Sequence, residues 1–351
     1  MCRSHQSWSG VTQRLILSGC LIALICSCVS CTASTPVVVR TTLTDEAIEY
    51  SVPDKPYVVL KRGDVTMVIA DNRPVDDQIL PGHRGGYSGV ASLTHSRRKS
   101  NLFVPAYAGL NFEHIHDGTI QDRKILFEPR NAPMQLRVIN EHTVELYQAP
   151  TPHWKLESSS RYELLADGTI QMTFQCIPRA RAFANGYIGL FWASYIHHPQ
   201  SLDIHFKGLT GREMLWHRRP HWVRGGTPAH GTASTHRPLW DNRRLEFDKQ
   251  FPLTLVFNHS KHRYAEPWYI GVSHGMGFAQ IFRATDEIRF SQSPSGGGKG
   301  NPAWDFQFLI PNYEVGKVYG FVMRAAYLPY NSMEQMEKAA VLQHRQLEPE
   351  K

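Results

Sequence analysis

The sequence predicts an all-β protein: a large antiparallel two-sheet β-sandwich with long loops and a short C-terminal helix. Three observations carry this. Across residues 134–177, Met134, Leu136 and Val138 alternate with Gln135 and Arg137, and after a turn at Asp167-Gly168, Ile170, Met172, Phe174 and Cys176 alternate with Gln171, Thr173 and Gln175. Period-two alternation across turn signals means antiparallel strands with one face buried. Helical signal is confined to the tail, residues 332–346, an Ala/Glu/Gln-rich run with few breakers. Finally, the strands do not alternate with helices, and they are too numerous for one small immunoglobulin-like unit. One sandwich over residues 57–330 fits best, with two β domains as the alternative.

Taken in order, residues 1–33 read as a bacterial-type export signal. Arg14 precedes an apolar run at 15–29, and small residues follow at 30–34. The run falls short of the about 20 residues a transmembrane helix needs. Five of the six cysteines lie in or before this segment, the pattern of a lipoprotein signal, with Cys31 as the candidate lipidated residue and cleavage near Ala33 as the alternative. The protein would then reach the periplasm, the outer membrane as a lipoprotein, or the medium. Cys176 alone remains in the mature chain, so no intramolecular disulfide is expected, and its place on the apolar face makes it a core residue.

Residues 34–56 read as a tether or edge strand. Segments 57–60 and 65–70 flank Lys61-Arg62-Gly63-Asp64, a hairpin signal. Residues 71–101 are rich in Gly, Pro and charge and read as a long loop, of the length that is often functional. Residues 186–196 (GYIGLFWASYI) form a continuous apolar strand, 211–245 a loop excursion, and strands resume at 252–257, 268–273, 280–283, 288–291, 304–310 and 319–327. Residues 331–351 are the helical tail.

The formal charge is +7, with Arg3 and Arg14 inside the leader. The densest basic cluster, residues 212–224, suits an anionic glycan, a phosphate or plain solvation. No nucleic-acid motif accompanies it. Residues 295–300 look superficially like a phosphate loop, but no Ser or Thr follows Lys299, and Asn301-Pro302 leads into a strand where a helix N-terminus is required. Nucleotide binding is excluded there, and no Gly-x-Ser-x-Gly elbow supports a serine hydrolase.

The chemistry-bearing residues fall in three stretches. In Asn111-Phe112-Glu113-His114-Ile115-His116-Asp117, strand alternation puts His114 and His116 on one face and Glu113, Ile115 and Asp117 on the other. The two histidines suit polar ligand contact or acid–base work, a metal site completed from elsewhere, or a structural role. Glu266 precedes Pro267-Trp268-Tyr269, whose rings would desolvate it and raise its pKa; an arginine-paired glutamate is the plainer reading. His274 lies between Ser273 and Gly275, where backbone approaches closely. In Trp304-Asp305-Phe306-Gln307-Phe308, Asp305 and Gln307 share a face opposite the aromatics. The expected set is therefore His116, Glu266 and His274 as catalytic groups. Glu113, His114, Trp268, Arg283, Trp304 and Asp305 would bind substrate. No cofactor is required, with a divalent metal on His114 and His116 as the alternative.

Residues 162–173 (YELLADGTIQMT), the aromatic strands and residues 266–276 (EPWYIGVSHGM) together resemble the galactose-mutarotase-like β-supersandwich group, over roughly residues 50–330. The resemblance implies a concave sheet face that binds sugar, with histidine and carboxylate side chains as acid and base. The functional expectation is an exported carbohydrate-active protein acting on a sugar or polysaccharide, neutral or anionic. Its rivals are a non-catalytic glycan-binding or structural surface lipoprotein, and a metal-dependent enzyme centred on His114 and His116. Contact with a membrane would come only through a lipid anchor.

Overall fold

The computed structural model describes residues 40–227, 234–294 and 300–348. The expected export signal, the candidate lipidation residue Cys31 and most of the glycine-rich loop lie outside them. Strands β1 (Tyr57–Arg62), β2 (Val65–Ala70) and β3 (Gly89–His95) come first, then β4 (Asn111–His116) and two single-turn helices, α1 (Arg123–Leu126) and α2 (Glu128–Asn131). A meander follows: β5 (Met134–Asn140), β6 (Thr143–Gln148), β7 (Leu156–Leu164) and β8 (Ile170–Pro178). Next come β9 (Tyr187–Ala193), β10 (Ile204–Thr210), α3 (Gly211–Leu215), β11 (His221–Gly225), α4 (Thr254–Phe257) and β12 (His262–Tyr264). The chain closes with β13 (Trp268–Ser273), β14 (Met276–Phe282), β15 (Arg289–Ser293), β16 (Ala303–Pro311), β17 (Tyr319–Pro329) and α5 (Met333–Leu347).

These strands form a ten-stranded sheet, a four-stranded sheet in the order β15-β16-β9-β4, and a three-stranded sheet β1-β2-β3. The large sheet runs β11-β10-β13-β14-β17-β8-β7-β6-β5, with β12 added on β10. Every strand pairing is antiparallel. The all-β sandwich expected from the alternation is what forms.

The core lies between the large and small sheets. Phe112, Leu190, Trp192, Phe306 and Phe308 descend from the small sheet to meet Met172, Phe174 and Phe321 of the large one. Trp192 stacks on Phe306 (5.2 Å) and Phe112 (4.8 Å), and stands edge-on to Phe174 and Phe321. Each such pair contributes about 0.5–1.5 kcal/mol beyond its buried area. The other face of the large sheet is closed by α5, whose Met336 and Ala340 cover Trp268, Ile270, Ala279, Ile281 and Ala326. Ser332 caps that helix by accepting from the Gln335 N–H at 3.1 Å. Cys176 is buried in the main core, and burial pushes its thiol above the ordinary range.

Several segments differ from expectation for local reasons. The 71–101 loop contains β3, and the 211–245 excursion contains α3 and the edge strand β11. Segment 252–257 is not a strand: Pro252 removes a ladder donor, and residues 254–257 coil into α4. Residues 41–42 dock on the large sheet through Gln175 and the buried carboxylate of Glu145, and Ser51 bridges Val138. The basic stretch 212–224 lies on the surface, with Trp216 exposed beneath Arg212.

Candidate functional site

The small sheet has one apolar face in the core. Its other face is lined by buried polar groups, and a bulge decides which. In β4 the register shifts between Phe112 and His114, so Glu113 is an extra residue opposite no partner. Phe112 and Ile115 keep to the core, while Glu113 turns outward and joins His114 and His116 on the polar face. Plain alternation had set Glu113 against the histidines; the bulge overturns this. On β16 the alternation holds: Trp304, Phe306 and Phe308 enter the core and Asp305 faces out with Gln307.

Glu113 and Asp305 therefore stand on opposite sides of β9, two strand spacings or about 10 Å of backbone apart. Both are buried, and their surroundings differ. The Glu113 carboxylate accepts from the Tyr195 hydroxyl at 2.5 Å and from Arg130 Nη1 at 3.1 Å. Among the described residues, Asp305 accepts from the Ser293 hydroxyl (3.1 Å) and the Ser194 N–H (3.3 Å) and has no cation beside it. Burial, then the charge of Glu113, drives the Asp305 carboxyl well above its usual range. Burial also raises Glu113, but the charge and bond of Arg130 and the bond from Tyr195 oppose it. The arginine and the phenol thus favour the ionised form of Glu113, whereas Asp305 is held toward its protonated form. Burial, then Glu113, keeps the Tyr195 phenol protonated, so it serves as a donor.

Arg130 is aimed by two supports. Its Nε donates to the Gly86 carbonyl at 2.9 Å, and its guanidinium lies 3.8 Å over the Tyr87 ring. Asn72 holds the turn after α2 by donating to the Ala132 carbonyl at 2.5 Å. Tyr87, Tyr107 and Tyr195 form one panel with centroids 4.3–5.6 Å apart. Tyr87 and Arg130 are half-buried, which makes them the outermost members of the cluster. Asn111 Oδ1 accepts from the Ser88 N–H, leaving its buried Nδ2 without a partner among the described residues.

His114 and His116 occupy apolar niches. The His114 ring packs on Phe127 (4.2 Å) and Phe191 (5.3 Å), with Nε2 3.5 Å from Glu113. His116 lies over Gly189, where a Cβ would come within 2.3–2.8 Å of its ring, and against Phe251. Burial lowers both to about 3, helped by Arg130 at His114 and by His114 at His116. Among the described residues no group of three His, Cys, Asp or Glu converges on a metal position.

The neutrality of His114 and His116 has a measurable consequence. Each folded pKa lies below the unfolded 6.5, so its stabilising effect is complete above pH 6.5 and is lost as pH falls toward 3. Between pH 7 and pH 5 each histidine should remove about 2 kcal/mol of stability. Denaturant titrations at the two pH values should show the loss smaller by about 2 kcal/mol in His114→Phe. An unchanged pH dependence in that variant would show that His114 titrates normally.

The other expected residues lie apart. Trp268 is sealed beneath α5 against Trp222, and Trp304 is a core residue whose Nε1 donates to the Leu202 carbonyl at 3.1 Å and whose ring fills the space over Gly271. Neither ring is open to a sugar. Arg283 forms a two-bond pair with Asp286 (2.8 and 2.9 Å) beside a 3-10 turn. His274 (φ +52°) and Gly275 (φ +75°) make the tight β13–β14 turn, and the His274 N–H donates to the Gln200 side chain. Glu266 is half-buried before β13 and makes no side-chain hydrogen bond or ion pair among the described residues. Of the expected set the structure brings together Glu113, His114, His116 and Asp305. It adds Arg130, Tyr195, Tyr87, Tyr107 and Asn111, which sequence reading had not singled out. Tyr87 falls within the loop marked as functional, and Tyr195 is one of the few polar residues in an apolar strand.

The fold and site together define a β-sandwich with a polar, carboxylate-bearing face on its smaller sheet. No protein-family model matches the chain, and no curated protein matches it in sequence. Among solved structures it is similar to a putative aldose 1-epimerase from Escherichia coli K12, at 11% identity and TM-score 0.42, covering 78% of this chain and 99% of that one. It is also similar to a galactose mutarotase-like protein from Lactobacillus casei, at 9% identity and TM-score 0.43, covering 77% and 99%. A heparan sulfate lyase from Pedobacter heparinus aligns at 9% identity and TM-score 0.34, over 80% of this chain and 37% of its own. The roles assigned here rest on this chain's own side chains.

Proposed function

We propose that this chain is an exported carbohydrate-active protein that works by acid–base chemistry on the polar face of its small sheet. The observation that carries this reading is the pair of buried carboxyls, Glu113 and Asp305, with opposite environments. Asp305 would give its proton to a glycosidic or ring oxygen. Glu113 would take a proton from water or from a sugar carbon, with Tyr195 and Arg130 orienting it. The Asn111 amide, without a partner among the described residues, is a donor suited to a hydroxyl, and the half-buried Tyr87 and Arg130 form the outer edge of the cluster. The export signal expected at residues 1–33 is consistent with a polysaccharide met outside the cytoplasm.

A glycan-binding module without turnover is the second reading, because Glu113 Oε1 is already engaged by both Tyr195 and Arg130. Incubation with neutral and anionic polysaccharides, read by mass spectrometry, separates the two. New oligosaccharides, absent with Asp305→Asn, support the enzyme; hydrated products mean hydrolysis and unsaturated ones elimination. Retention on a glycan with no product from any of them would establish the module instead.

A further inference from the structure

The polar face of the small sheet continues past Gln307 to a second group of charges. Arg289 of β15 and Tyr187 of β9 line a cavity of about 280 Å³, walled also by Arg237, Arg243, Arg244 and His259. Its apolar side is built on Phe257, stacked on Phe247 at 4.0 Å. Arg289 and Arg243 share one carboxylate, Asp241, at 2.7 and 3.0 Å, and Arg243 also meets Glu287 at 3.2 Å. Arg237 and Arg244 have no ion pair among the described residues. His259 Nε2 is buried with no hydrogen-bond partner among the described residues. Four guanidinium groups thus line the hollow; Asp241 and Glu287 pair with Arg243 and Arg289, and the carboxylates of Asp117, Asp248 and Glu246 act on it from the Tyr187 side. Burial, then Arg237 and Arg289, lowers His259 to about 4, so its imidazole is neutral and free to donate to an oxygen. A network serving only to neutralise Arg289 would need Asp241 and nothing more. The unpaired arginines and the open volume point to an absent anion.

We propose that this cavity binds the carboxylate or sulfate of an acidic sugar, a reading that rests on the carbohydrate assignment above. Arg237 and Arg244 hold the oxyanion, His259 adds a hydrogen bond, and the Phe257 and Tyr187 rings receive the apolar face of the sugar. The volume is at the lower limit for small-molecule sites and suits about one pyranose unit. Arg289 sits opposite Gln307, the next residue on the same face of β16 after Asp305, so a chain held here would continue toward the two carboxyls.

Calorimetric titration of the full chain with glucuronate, a sulfated glucose, glucose and inorganic sulfate tests this. An acidic sugar should bind with an affinity that falls as salt rises, while glucose should not bind. Arg237→Gln and Arg244→Gln should each weaken that binding by about 10- to 100-fold. Arg244 is exposed, so its replacement leaves the fold intact, and Lys338→Gln, exposed on α5, should leave the affinity unchanged. The proposal is overturned if glucose binds equally well, if neither acidic sugar binds, if inorganic sulfate alone binds, or if both arginine variants keep full affinity. Binding is read without turnover. Acidic-sugar binding without products from any glycan would therefore defeat the acid–base reading alone, and the reverse result would defeat this one alone.

Discussion

Glu113→Gln is expected to lower turnover by about 10²–10⁴-fold on whichever glycan the wild-type protein converts. The substitution keeps the shape of the side chain and an oxygen for Tyr195 and Arg130, so the local geometry survives while the base is lost. Arg130 keeps its bond to the Gly86 carbonyl and its place over Tyr87, which limits the cost of losing its counter-charge. The thermal midpoint should accordingly move by only a few degrees. Asp305→Asn removes the proton donor and should fail on the acid side. Asp305 also has the opposite linkage to the histidines. Its folded pKa is raised, so its favourable contribution is full below the unfolded value near 3.8 and is lost as pH rises. The Asn variant should therefore lose activity while holding or gaining stability at neutral pH. Near-normal turnover with Glu113→Gln would remove Glu113 from the mechanism.

The largest stability effect is expected at Asp241. Its carboxylate is buried, and it is the acidic partner of Arg289, whose side chain is 2% exposed. Burial pushes the Asp241 carboxyl up, but the bonds and charges of Arg243 and Arg289 outweigh this and hold it well below the usual carboxylate range. The stability it contributes is therefore present above the unfolded value and is lost as pH falls through the folded one. Asp241→Asn leaves a buried guanidinium without its anion and should cost about 3–5 kcal/mol in denaturant titrations at pH 7. The double variant Asp241→Asn/Arg289→Met should recover much of that loss, because it removes the stranded charge as well. A single variant within 1 kcal/mol or so of wild type would mean that solvent already screens the pair.

The sandwich was legible in the sequence because alternation is a local signal. Residues 134–177 form β5 to β8 in the expected phase, and Asp305 faces away from Trp304 and Phe306 as the β16 pattern requires. The site was only partly legible. A bulge has no compositional mark, so the outward turn of Glu113 could not be read from residues 111–117. Trp268, Arg283 and Glu266 were drawn in by their aromatic neighbours, yet α5, over 60 residues later in the chain, is what encloses Trp268. Arg130 reaches Glu113 only because the glycine-bearing loop at 85–86 and the turn after α2 converge on it. The arginines at 237, 243 and 244 fell inside the 211–245 loop excursion without a motif of their own, and it is β15 that places Arg289 among them.

The division of roles between the two carboxyls is tested most directly by their protonation states. Infrared difference spectra of wild type, Asp305→Asn and Glu113→Gln at pH 7 would report a protonated carboxyl by its C=O stretch. That band should be present in wild type, persist in Glu113→Gln and vanish in Asp305→Asn. Its absence from wild type, or its loss in Glu113→Gln with persistence in Asp305→Asn, would contradict the assignment of Asp305 as the acid and Glu113 as the base.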